Sequence, residues 1–168
     1  INDGDLDIEA AFATEGFLDL TSLNGTIDID AVIDTSGPVR LATGADLVVG
    51  TQLISGAGSI VLESDGDINI DAAVRTELVT GEVNITAGGD VAISSLVSAA
   101  ELVDIDAGGD VSTTGQTSSL VSPTATIVSG GAIDVGLRVD QGVSASAQTG
   151  VILRDLTQEW TLDDDNGT

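Results

Sequence analysis

The chain has 168 residues, enough for one domain, and sets 28 acidic residues against four arginines with no lysine, histidine or cysteine, a net charge of −24. That balance argues against nucleic acid and anionic membranes as partners, and the missing residue types exclude Ser-His-Asp and Cys-His catalysis, Schiff bases, P-loops and thiolate metal sites. The apolar content of 42% is Val, Ile, Leu and Ala with only Phe12, Phe17 and Trp160 as aromatics, which suits stacked β-branched side chains better than a globular jigsaw.

Apolar residues alternate with polar ones in short runs that follow a glycine or alanine. The first family of runs starts at positions 4, 25, 45, 66, 89, 109 and 131, with steps of 21, 20, 21, 23, 20 and 22 residues. Its inward positions form two ladders: Leu6, Ile27, Leu47, Ile68, Val91, Val111, Ile133, and Ile8, Ile29, Val49, Ile70, Ile93, Thr113, Val135. A second family gives Leu18, Val39, Ile60, Val83, Val103 beside Leu20, Leu41, Leu62, Ile85, Ile105. A third, weaker position recurs at Phe12, Ile33, Leu53, Val74 and Val97. The plainest statement of the repeat is Val83 to Val91, which returns as Val103 to Val111 with its Ala-Gly-Gly-Asp corner intact.

Self-similarity at about twenty residues with two or three strands per turn predicts an all-β parallel β-helix, a β-solenoid of about seven to eight turns of roughly 21 residues. At about 4.8 Å per rung, seven turns make a rod of roughly 35 Å. The whole chain, 1–168, reads as one domain, regular over 4–136 and less regular over 137–168. There Leu137 to Thr149, rich in Ser, Ala, Gln and Gly, reads as an extended excursion or irregular turn. No run of 18 apolar residues is present, so no membrane span is expected. Ile1, with no charged or apolar leader after it, reads as the start of a processed product or an excised piece.

Acidic residues at the corners are the candidate metal ligands. Asp46, Asp67, Asp90 and Asp110 recur on successive turns, and Asp5 holds the same place in the first. Like charges one rung apart repel unless they splay into solvent or a cation bridges them, and oxygen-rich acidic turns are calcium sites when backbone carbonyls join in. The richest clusters are Asp3, Asp5 and Asp7; Asp65 and Asp67; and Asp163 and Asp165, none with EF-hand spacing. The competing expectation is a solvated acidic surface. Asn24, Asn84 and Asn166 stand in glycosylation sequons.

The Ala-Gly-Gly-Asp-Val corners at Ala87–Val91 and Ala107–Val111, with the Asn-Gly-x-Ile-x-Ile rhythm at Asn24–Ile29, resemble the large exoproteins of the filamentous-haemagglutinin type. The resemblance covers about Gly4 to Val135. It implies a right-handed parallel β-helix in a secreted, extracellular or cell-surface adhesin, with surface glycans or a host receptor as partners. The family's amino-terminal secretion domain is not in this sequence.

Function is therefore expected to be structural or adhesive and non-catalytic. Arg40 and Arg75 fall on different faces, so a lyase-type site of arginine beside calcium-binding acids does not assemble, and a sugar cleft lacks aromatic platforms other than Trp160. A carbohydrate-binding or carbohydrate-processing β-helix is the alternative. End-to-end self-association is expected from the chain's ends. Asn166-Gly167-Thr168 followed by Ile1-Asn2 repeats the phrase Asn24–Asp28, which makes Ile1, Thr168 and nearby Trp160 the candidate interface.

Overall fold

The computed structural model describes residues 1–114 and 120–155. Among them there is no helix, and the strands form a parallel β-solenoid of about seven turns spaced about 21 residues apart. Each regular turn, or rung, contributes one short strand to each of three faces. Face A holds Leu6–Ile8, Ile27–Ile29, Leu47–Val49, Ile68–Ile70, Val91–Ile93 and Val111–Thr113. Face B holds Phe12–Thr14, Ile33–Thr35, Leu53–Ser55, Val74–Thr76 and Val97–Ser98. Face C holds Leu18–Ser22, Val39–Thr43, Ile60–Ser64, Glu82–Ala87 and Leu102–Ala107.

The register is the one the alternation dictates. On face A, Leu6, Ile27, Leu47, Ile68, Val91, Val111 and Ile133 stack in line. Face C stacks Leu20, Leu41, Leu62, Ile85, Ile105 and Ile127. The weak third position is a full strand family, with Phe12, Ile33, Leu53, Val74, Val97, Leu120 and Leu137 in one ladder. A one-residue slip would turn every one of these aliphatics outward, so burial alone fixes the pairing. From Ile27 to Ile133 the ladder members are essentially sealed from solvent, each contributing roughly 1.5–3 kcal/mol by burial. Thr113 interrupts an aliphatic ladder without leaving it. It is buried, and its hydroxyl accepts a hydrogen bond from the Gly136 amide at 2.8 Å.

Buried hydroxyls hold the corners. Ser22 donates to the Gly4 carbonyl (2.6 Å) and accepts from the Gly25 amide (3.1 Å). Ser129 does the same between the Gly109 carbonyl (2.7 Å) and the Gly131 amide (3.0 Å). Thr43 and Ser64 repeat this two-way contact in rungs two and three, while Ala87 and Ala107 hold the position in rungs four and five. Between faces B and C, Thr35 donates to the Gly37 carbonyl at 2.7 Å and Ser55 to the same carbonyl at 2.9 Å. These hydroxyls add a second partner at corners whose amides also bond from rung to rung, as Gly66 does to the Ala45 carbonyl and Gly131 to that of Gly109.

The stack also continues where the composition points to an excursion. Leu120–Ser129 and Ala132–Ala147 are long strands paired in parallel from Leu120↔Leu137 to Ser129↔Ala147, so residues 137–147 supply faces B and C of the seventh rung. Gly150–Asp155 adds an eighth strand to face A. The register shifts between Ser122 and Thr124, at Pro123, which has no amide to give to a ladder.

Candidate functional site

The corner before face A is the most regular chemical feature of the molecule. Asp5, Asp46, Asp67, Asp90 and Asp110 occupy it on rungs one, three, four, five and six, with Thr26 and Ala132 on rungs two and seven. The carboxylates do not face one another. Each accepts, through Oδ1, the backbone amide of the equivalent residue one rung on. The contacts are Thr26 N to Asp5 (3.0 Å), Asp67 N to Asp46 (2.9 Å), Asp90 N to Asp67 (2.8 Å), Asp110 N to Asp90 (2.7 Å) and Ala132 N to Asp110 (2.7 Å). A hydrogen bond to an ionised acceptor is worth about 1.5–3 kcal/mol. The repulsion expected along the ladder is thus met by an amide dipole inserted between successive charges.

This contact explains the glycines. A Cβ built on Gly66 lies 2.2 Å from the Asp46 Oδ1, on Gly89 2.0 Å from that of Asp67, on Gly109 1.9 Å from that of Asp90 and on Gly131 2.0 Å from that of Asp110. The aspartate of one rung fills the space a side chain would need on the next. Gly25, above Asp5, is closed in by the Gly4–Asp5 backbone itself. Where the rung beneath carries no aspartate the glycine is relaxed: Ala45 follows Thr26, and Thr149 follows Ala132. Across all seven described rung pairs, glycine appears at this place only above an aspartate.

The other acidic candidates do not converge. Asp3 accepts from the Asn24 side chain at 2.5 Å, Asp7 points outward opposite Asp28, and Asp65 is an exposed corner residue. Among the described residues no group of three or more acidic side chains gathers closely enough to hold a metal ion. Asp163, Asp165, Asn166, Trp160 and Thr168 lie outside the described residues. Of the sequon asparagines, Asn24 is exposed but bonded to Asp3, and Asn84 is half-buried on face C with its amide 3.4 Å from Glu82. Ile1 is 97% exposed. Asn2 pairs with Ser22, and its side chain reaches the carbonyls of Gly4 and Asp5 at 3.0 and 2.8 Å. The first residues therefore finish a face-C corner.

The arginines are apart, as expected. Arg40 on face C bridges Asp19 (3.3 Å) and Glu63, Arg75 on face B meets Glu77 (3.3 Å), and Arg154 meets Asp134. Burial works against the Arg40 charge, but Glu63 and Asp19 outweigh it and raise its pKa. Asp28 is the strained acid. Its Oδ1 is buried with no hydrogen-bond partner, and burial, then Asp30 and Asp7, raises its pKa.

No family model matches this chain, and no curated protein or solved structure does either. The likeness to filamentous-haemagglutinin-type exoproteins therefore remains one of rhythm. One opening is lined by the first rung: a cavity of about 280 Å³ between Ile8, Phe12, Leu18 and Leu20, with Asp7 and Glu9 at its margin. It is the exposed end of the core. Larger hollows along the sides are shallow and lined by Thr, Ser, Gly and acids with Ala13, Leu23 and Ala42, and with no arginine or aromatic side chain. Sequence reading missed the corner hydroxyls. Their signal is a Ser or Thr two places after the last face-C aliphatic, as in Leu20-Thr21-Ser22, Leu41-Ala42-Thr43 and Leu62-Glu63-Ser64.

Proposed function

We propose that this chain is a non-catalytic structural element of an extracellular fibre or adhesin stalk: a stiff acidic rod that extends by adding rungs. The observation that supports it most is the repeated Gly-Asp couple, which joins four successive rung pairs, from rung three to rung seven, by the same contact and leaves its chemistry engaged in holding the rod together. A solenoid joined this way grows in one dimension and presents long flat faces. The net charge of −24 keeps such rods apart from one another and soluble. Carbohydrate binding is the second reading, favoured by Phe12 and Phe17 on the first rung, which are 40% and 60% exposed.

Electron microscopy of the purified protein together with a glycan array tests both. Short straight rods without glycan binding support the structural role. Saturable binding of one sugar class, lost in Phe12→Ala or Phe17→Ala, replaces it with the second reading. Turnover of a polysaccharide by the intact chain overturns both the structural and the binding role.

A further inference from the structure

The first rung obeys the glycine rule with nothing beneath it. Gly4 occupies the place of Gly66, Gly89, Gly109 and Gly131, yet a Cβ built on it meets no atom within 4 Å. Nothing in the described structure demands glycine there. At that place every glycine that follows another rung stands over an aspartate, and where the aspartate is missing the residue is Ala45 or Thr149.

The donors tell the same story. In each later Asp-cornered pair the glycine amide donates to the backbone carbonyl beneath it: Gly66 to Ala45 (3.2 Å), Gly89 to Gly66 (2.9 Å), Gly109 to Gly89 (2.8 Å) and Gly131 to Gly109 (3.0 Å). The next amide donates to the carboxylate beneath it. The amides of Gly4 and Asp5 have no acceptor among the described residues. Alongside them Leu6, Ile8 and Leu20 are only partly covered, and Phe12 closes one side of the 280 Å³ cavity.

We infer that this edge is a docking surface for one kind of partner: a further parallel β-solenoid rung that carries an aspartate at its corner. The incoming carboxylate takes the Asp5 amide and fills the volume left by the absent Gly4 side chain. The backbone carbonyl before it takes the Gly4 amide, and its inward aliphatics cover Leu6, Ile8, Phe12 and Leu20. The contact continues the rung-to-rung interface already present inside the molecule. A rung with a different corner residue covers the apolar end equally well but leaves the Asp5 amide unpaired. The inference rests on the rod reading above.

The test supplies the rung in the full chain. A copy of residues 89–105 placed directly before Ile1 sets the copied Asp90 one rung beneath Asp5, at the spacing seen between Asp90 and Asp110. A second graft carries alanine at that one position, and each graft is also made with Gly4→Ala. Amide hydrogen exchange by NMR is read at Asp5. The aspartate graft is expected to protect this amide roughly 10- to 100-fold more than the alanine graft. Gly4→Ala is expected to abolish that advantage, while leaving the ungrafted chain's melting temperature unchanged.

Equal protection in the two grafts overturns the inference. So does a Gly4→Ala effect that is the same in both grafts, or a grafted rung that stays unprotected in both. Sedimentation of the ungrafted chain adds one more arm. Association that buries this edge and survives Gly4→Ala would show the edge filled without a corner carboxylate, and overturns it too. Any of these failures leaves rod morphology and the glycan result untouched, so failure of the inference is distinguishable from failure of the proposed function.

Discussion

The rungs are joined in two places that work by different rules. Inside the solenoid, Leu, Ile and Val replace one another freely along each ladder, as in Leu47, Ile68 and Val91. What is selected there is apolar volume on the correct side of the strand. At the corner the choice is narrow, because one carboxylate oxygen occupies the very space a neighbouring Cβ would take. The interior therefore fixes the face and the register, and the corner ties neighbouring rungs together wherever an aspartate lies beneath a glycine.

The largest expected effect breaks the interior rule. Ile68→Asp places an unpaired carboxylate between Leu47 and Val91 in a fully buried ladder, and should cost about 4 kcal/mol or more. Asn69→Asp, one residue away but outward, should stay within about 0.5 kcal/mol. Urea or thermal melting compares them, and equal shifts would refute the register.

The corner rule is sharpened by a mutant cycle. Gly89→Ala should cost about 1–3 kcal/mol, because the new methyl meets the Asp67 Oδ1. Asp67→Ala alone should cost less, about 0.5–1.5 kcal/mol, by removing the charged acceptor of the exposed Asp90 amide. Gly89→Ala made on top of Asp67→Ala should add less than about 1 kcal/mol, reproducing the natural pair Thr26 and Ala45. Additive costs would mean that the glycine serves backbone conformation instead of space.

How much of this is legible in the sequence follows the same division. The ladders are plain to read, because alternation with period two repeated every 21 residues or so leaves one register that buries all the aliphatics. The corner aspartates are visible too, but not their role. Glycine reads as a turn former, and only coordinates show that Gly89 makes room for Asp67. Faces B and C of the seventh rung are hidden for another reason. Their Ser, Ala and Gly carry little apolar contrast, and Ala145 and Ala147 are held as strand by the rung beneath them instead of by their own propensity.

A smaller effect concerns Asp28. Its raised pKa means that the folded state holds the proton more tightly than the unfolded chain does. The stability tied to this group is thus present at acid pH and lost as pH rises through the Asp28 pKa. Asp28→Asn should stabilise the protein at neutral pH by less than about 1 kcal/mol. That gain should vanish as pH falls through the carboxylate range, read by melting temperature at several pH values. Asn69, on the same face two rungs further on, already shows that the amide fits.

The smallest effect is reserved for calcium. Because each corner Oδ1 is engaged by an amide, millimolar calcium should shift the melting temperature by no more than sodium at equal ionic strength. A calcium-specific rise would show that the corner binds cations as well as neighbours.

The Gly-Asp couple is also directional. A rung already in place holds out an acceptor, and the rung that follows brings the donors. A chain that emerges amino terminus first therefore meets a finished template wherever the rung beneath carries the aspartate, and each new rung needs only the residues some 21 places earlier. Such a geometry is compatible with assembly in the order of synthesis, with no search for partners distant in the chain.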